Sequence, residues 1–145
     1  MLSEASLTMS NEFILPLRVY YEDTDAGGVV YYANYLKFFE RARSEWLNHL
    51  GIDQAQMLAA DIAFAVRRAE VDYKLPARLN DELLVISHIS KLSGAGLRFE
   101  QRLCKKNSTE TTLCEAMIDV VCLQLSDFKP CRIPAAVREE IQRVC

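Results

Sequence analysis

Tyr20-Tyr21-Glu22-Asp23-Thr24-Asp25-Ala26-Gly27-Gly28-Val29-Val30-Tyr31-Tyr32-Ala33-Asn34-Tyr35 is the stretch from which the rest of the chain can be placed. It reads as the end of a strand, an acidic glycine-bearing turn and the opening of a long helix. Gly27-Gly28 gives the turn backbone freedom that residues with a Cβ lack. Asp25 then stands just before a helix start, where backbone N–H groups lack helical partners and the dipole favours negative charge. A carboxylate and an array of N–H donors at one point can hydrolyse an activated carbonyl, and such a point also favours bound anions. A plain acidic turn is the simpler account of the same residues. A calcium loop starting at Asp23 is not an account of them: its fifth position is Gly27, and its twelfth is Asn34 where a bidentate glutamate is needed.

Upstream, residues 13–23 alternate as a strand, with Phe13, Leu15, Leu17, Val19 and Tyr21 on one face and Arg18 on the other. Downstream, residues 33–50 carry a helical period. Tyr35, Phe39, Ala42, Trp46 and Leu50 form its apolar stripe, widened by Leu36, Phe38 and Leu47, while Glu40, Arg41, Arg43 and Glu45 fall largely off it. Gly51 predicts the stop, and Asp53 the cap of a short second helix over 53–60. Strands are expected at 64–73, 82–92, 97–106 and 111–125, and a terminal helix at 133–144 entered through Pro134.

A strand, a long helix and four strands in antiparallel succession make an α+β domain, here residues 13–145 behind a mobile tail of residues 1–12. In the 82–92 strand Leu83, Val85 and Ile89 oppose Leu84, Ile86 and Leu92, and the last strand is apolar on both faces too. One helix covers only one face, so a second copy of the chain is expected to cover the other.

The net charge of −3 gives no field for nucleic acid, and no apolar run is long enough to span a membrane. The first ten residues lack the pattern of a secretory signal. The five cysteines (104, 114, 122, 131 and 145) are odd in number and include no Cys-x-x-Cys. Free thiols in a reducing, cytoplasmic compartment follow, with no disulfide frame, metal site or cofactor. His49 and His88 read as solvated or structural.

The segment Tyr21-x-Asp23-x-Asp25-x-x-Gly28-Val29-Val30-Tyr31-x-x-Asn34-Tyr35 resembles the active-site segment of hot-dog-fold acyl-CoA thioesterases. The run from Arg18 to Trp46 is more closely similar to the Tol–Pal-associated, YbgC-type branch, relatives of 4-hydroxybenzoyl-CoA thioesterase. The resemblance continues more weakly through Phe64-Ala65-Val66-Arg67-Arg68 and Tyr73-x-x-Pro76-Ala77-Arg78-Leu79-x-Asp81. It implies a hot-dog fold, an antiparallel sheet wrapped around one long helix, assembled as a homodimer or homotetramer. It also implies that Asp25 is the catalytic carboxylate, as nucleophile or as general base, and that the Tyr32 N–H polarises the thioester carbonyl. Gly28, Val29, Tyr31 and Asn34 are then substrate contacts, and Asp23 holds the turn. The close branch often carries His where this chain has Tyr32, which leaves acyl preference open.

Coenzyme A is a polyphosphate, so basic residues should line its entrance. Arg67 and Arg68 are the first candidates, with Lys74, Arg78, Lys91, Arg98, Lys129 and Arg132 as further ones. Three functions follow in order: an acyl-CoA thioesterase, whose acyl donor is CoA or an acyl carrier protein; a non-catalytic acyl-CoA or acyl-carrier-protein binding module; and a hot-dog dehydratase. The last needs a catalytic histidine near the turn, and His49 lies too far along the helix.

Overall fold

The apolar stripe of the long helix is what the sheet closes upon. In the computed structural model, which describes residues 5–8 and 10–145, this helix is α1 (Asn34–His49). Tyr35, Phe38, Phe39, Ala42, Trp46 and Leu47 are all buried along it. Trp46 stacks on Phe13 at 5.6 Å between ring centroids and meets Phe99 edge-on at 6.0 Å. At its end Gly51 takes φ +78° while the Gly51 N–H bonds to Asn48 and the Ile52 N–H to Leu47. That is the paired closure through which glycine ends helices. Asp53 then caps α2 (Gln54–Ala59), its Oδ1 accepting from the N–H groups of Ala55 and Gln56.

The strands are β1 (Ser6–Leu7), β2 (Phe13–Arg18), β3 (Ile62–Tyr73), β4 (Glu82–Leu92), β5 (Gly96–Lys105), β6 (Ser108–Gln124) and β7 (Lys129–Pro130), and α3 (Ala135–Gln142) follows. They form one antiparallel sheet in the order β1-β2-β4-β5-β6-β3, with β7 also on β6. The expected succession of four neighbouring strands therefore needs correction. β4, β5 and β6 are joined by tight turns and pair in order, but β3 crosses to the far side of β6, from Ile62 opposite Gln124 to Tyr73 opposite Cys114. The residues between β3 and β4 are what permits it: Lys74 and Leu75 donate to the Leu113 carbonyl, and the Ala77 carbonyl takes the Val30 N–H. β4 is left to pair with β2, with Leu15 opposite Val85 and Leu17 opposite Leu83.

The face toward α1 is built from Phe13, Leu15, Leu17, Leu83, Val85, Ile89, Phe99 and Leu103, all buried. Two other expectations change. Tyr21 does not continue that face; the chain leaves the strand after Arg18, turns through a 3₁₀ segment at Tyr21–Asp23, and leaves Tyr21 84% exposed. Within the expected tail, Ser6 and Leu7 pair with Ile14 and Phe13, closing a short hairpin instead of hanging free. Residues 1–4 and 9 of that tail lie outside the described residues.

Candidate active site

Residues 24–30 close on themselves before the helix begins. Thr24 and Val30 pair across the loop, the Asp25 N–H donates to the Val29 carbonyl at 2.9 Å, and the Gly28 N–H returns to the Asp25 carbonyl at 3.0 Å. Gly28 sits at φ +78° with open space where a Cβ would be, so glycine is required there by backbone conformation alone. Gly28→Ala is accordingly expected to lower stability by about 1–2 kcal/mol. Urea titration checks this, and an unchanged midpoint would remove the argument. At Gly27 a Cβ would press on Asp25 Oδ1 at 3.3 Å, the same oxygen that accepts the Gly27 N–H at 2.9 Å. Asp25 is exposed, and its Oδ2 has no hydrogen-bond partner among the described residues.

The loop is tied to the body from both sides. Asp23 Oδ2 accepts the Tyr20 N–H, while the Asp23 carbonyl receives both the Tyr31 N–H and Asn34 Nδ2. Asn34 thus holds the turn with its amide, and Gly28 and Val29 are pinned to the segment before β4 through Leu79 and Arg78. This anchoring is what the sequence reading of Asn34, Gly28 and Val29 as substrate contacts did not contain.

Where α1 begins, the position that usually carries Ser, Asp or Asn is Ala33, and no side chain caps the helix. Among the described residues the N–H groups of Tyr32 and Ala33 donate to nothing in the chain. They stand as unpaired donors at the positive end of a 16-residue helix, a few residues after the Asp25 loop. An aromatic wall flanks them. Tyr31 and Tyr32 lie 5.0 Å apart, and Tyr73 at the end of β3 meets the edges of Tyr32 at 6.1 Å and Tyr35 at 5.5 Å. The Tyr35 hydroxyl accepts the Ala77 N–H, and burial pushes its pKa up. Tyr73, not singled out as a site residue by the sequence reading, is the strand end that touches the helix start.

The structure does not bring Arg67 and Arg68 to Asp25 within one chain. They stand on β3 at its bulge, five or more residues from Tyr73, which is roughly 16 Å or more at strand rise. Arg68 is paired with Glu70. His49 is exposed and rests against Phe13, and His88 is exposed mid-strand. Burial pushes the thiols of Cys114 and Cys122 up to about 12, so neither offers a thiolate nucleophile at neutral pH. A hollow of about 590 Å³ lies on the outer face of the sheet beside Ile86, His88, Glu100 and Met117, away from the loop.

Comparison with known proteins places the chain in a family. The thioesterase-like superfamily matches residues 19–141 of the chain. The acyl-CoA thioester hydrolase YbgC of Escherichia coli is 44% identical over 131 residues, covering 90% of this chain and 96% of that protein. The chain belongs to the thioesterase-like superfamily, in its YbgC-type branch. The acyl-CoA thioesterase YbgC of Haemophilus influenzae is equally similar, 44% over 90% of this chain and 94% of its own length. Among solved structures, a 1,4-dihydroxy-2-naphthoyl-CoA thioesterase from Synechocystis superposes with a TM-score of 0.82 at 26% identity, covering 92% of this chain and 94% of that one. The curled antiparallel sheet around α1 is the hot-dog fold of such thioesterases.

Proposed function

We propose that this thioesterase hydrolyses acyl-CoA through Asp25 and the N–H of Tyr32. The observation that supports it most is the uncapped start of α1 beside a carboxylate whose second oxygen has no partner. The thioester carbonyl seats its oxygen on the Tyr32 N–H, with the Ala33 N–H adjacent. As the carbonyl carbon becomes tetrahedral, the developing oxyanion gains charge-assisted hydrogen bonds that the ground state lacks. Asp25 either attacks the carbonyl carbon, forming an anhydride that water opens, or takes a proton from water attacking the same carbon. Both routes release the free acid and the coenzyme A thiol. The Gly27 N–H fixes one Asp25 oxygen and leaves the other for the reaction.

Tyr31, Tyr32 and Tyr73 supply apolar surface near the reacting carbon, and Gly28 and Val29 provide the backbone that the thioester crosses. Arg67 and Arg68 are assigned to the coenzyme A phosphates. They reach a site only if another copy contributes them, and the fold offers the means. β3 pairs with β6 on one side and exposes its other edge over 12 residues, with Val66, Arg67 and Ala69 solvent-facing. A long free edge of this kind is a template for another strand, and pairing of two β3 strands gives a continuous sheet across a dimer. Light scattering at micromolar concentration is expected to give at least twice the chain mass of 16.5 kDa. A stable monomer would remove both the dimer and the Arg67–Arg68 assignment. The activity itself is tested by the loss of thioester absorbance across a panel of aromatic and aliphatic acyl-CoAs, and hydrolysis of none of them would favour a binding module instead.

A further inference from the structure

Arg43 is the one charged side chain of the described residues that is buried, at 9% exposure. It leaves the side of α1 two and a half turns from the helix start and packs beneath the helix, its unpartnered nitrogens keeping access to solvent. Its Nη1 donates to Gln101 Oε1 at 2.9 Å, and its guanidinium lies 6.0 Å from the centre of the Phe99 ring. Gln101 is itself fully used, its Nε2 donating to the Phe39 carbonyl and to Ser87 Oγ. Among the described residues Arg43 has no other hydrogen bond and no ion pair. A guanidinium carries five N–H donors, so most of them are unpartnered. Burial disfavours the charged form and holds the Arg43 pKa below its usual value, outweighing the opposing pull of the Glu40 carboxylate.

Those donors face a cleft of about 90 Å³ between α1 and the edge strand. Its floor is a row in register across three strands, Leu97, Val120 and Val66, with Phe64 at one end and Leu47 on the helix. Ser44 and Glu40 stand at the helix side, and the Ser44 hydroxyl donates to Glu40 Oε1, while the Glu40 charge also acts on Arg43 without bonding to it. A buried cation with free planar donors, at the end of an apolar trough, matches a carboxylate on a hydrocarbon chain. Its two oxygens take the fork of N–H groups, and its chain covers Val66, Leu97 and Val120.

We propose that the cleft between α1 and β3 is a binding site for a carboxylate carried on a short hydrocarbon chain, with Arg43 as its cation. Two sources share that chemistry: a free carboxylic acid, and the far end of an acyl group that is itself a dicarboxylic acid, held as its monothioester with coenzyme A. The second rests on the thioesterase reading; the first does not.

Hexanoate binding by calorimetry and hydrolysis of glutaryl-CoA and butyryl-CoA decide the matter, with wild type, Arg43→Met and Ser44→Leu compared in each. Arg43→Met keeps the volume of the side chain and removes the charge; Ser44→Leu keeps Arg43 on Gln101 and fills the cleft. Hexanoate is expected to bind wild type and to bind both variants roughly tenfold or more weakly. If glutaryl-CoA hydrolysis also falls about tenfold or more in both variants while butyryl-CoA is untouched, the ligand is the far carboxylate of the substrate. If hexanoate binding falls and both rates stay level, the ligand is a free acid. Should Arg43→Met fail to fold, Ser44→Leu alone carries the comparison. Equal hexanoate affinity in wild type and Ser44→Leu, or no binding to wild type together with an unchanged glutaryl-to-butyryl ratio, overturns the site. A wild type that hydrolyses neither thioester overturns the thioesterase reading instead, and the hexanoate arm still answers for the cleft.

Discussion

Asp25→Asn should leave a folded protein that hydrolyses acyl-CoA about a hundredfold to ten-thousandfold more slowly than wild type. The substitution is close to a replacement in place. An asparagine Oδ1 accepts the Gly27 N–H as the aspartate does, and the loop keeps its other ties, from the Asp25 N–H to Val29 and from the Gly28 N–H to the Asp25 carbonyl. What disappears is the charge on the free oxygen. An amide neither attacks a thioester nor takes a proton from water at neutral pH, so both routes fail together while substrate binding is retained. The expected signature is a fall in kcat with KM little changed. Loss of thioester absorbance is the better readout, because Cys145 is exposed and would consume a thiol reagent. A variant that turned over every acyl-CoA at the wild-type rate would end the assignment of Asp25. The oxyanion donors would then need another partner, and Asp23, whose carbonyl takes the Tyr31 N–H and whose Oδ1 has no hydrogen-bond partner among the described residues, would be the next carboxylate to test.

How far the sequence carried the fold depends on which forces act locally. The stripe from Tyr35 to Trp46 and the glycine at 51 specify α1 within a residue at each end, because side-chain period and helix closure are properties of the segment itself. The same holds for β4, whose bounds match its apolar run. Partner choice is different. Nothing in the alternation of residues 64–73 says that β3 crosses to β6 instead of pairing with β4; that is set by the path of residues 74–81 and their bonds to Leu113 and Val30. β7 has two residues and no apolar period to announce it. Arg43 was misplaced for a related reason. By charge and spacing it falls off the stripe, yet Gln101 and Phe99, far away in sequence, receive it beneath the helix. The one local hint was Gln101 itself, a polar residue in phase with Leu97, Phe99 and Leu103 on the inner face of β5.

The site shows the same division. Asp25, Gly28 and the helix start were legible because the acidic turn, the glycine pair and the helical period are contiguous. Tyr73 and Ala77 were not assigned to the site, since each reaches it through the fold: Tyr73 by packing on Tyr32 and Tyr35, Ala77 by bonding Val30 and the Tyr35 hydroxyl. Arg67 and Arg68 mark the limit of a single chain. Their charge suits coenzyme A, but their strand carries them away from their own loop.

The second large effect belongs to the backbone at residue 32. Tyr32→Pro removes the N–H itself, and the loss of one oxyanion donor is worth roughly a hundredfold or more in kcat. The side chain and the donor are separable here. Tyr32→Phe keeps the N–H and the ring that packs between Tyr31 and Tyr73, losing only a hydroxyl with no hydrogen-bond partner among the described residues, so it should retain most of the turnover. Proline also restrains the residue before it, and the Tyr31 carbonyl takes the Asn34 N–H where α1 begins. The rate of Tyr32→Pro is therefore read only alongside circular dichroism and oligomer size that match wild type. A folded Tyr32→Pro enzyme with wild-type kcat would move the oxyanion to the Ala33 N–H. If Tyr32→Phe were the inactive member of the pair, the phenol would be the group that meets the reacting atoms, and the backbone donor would lose its role.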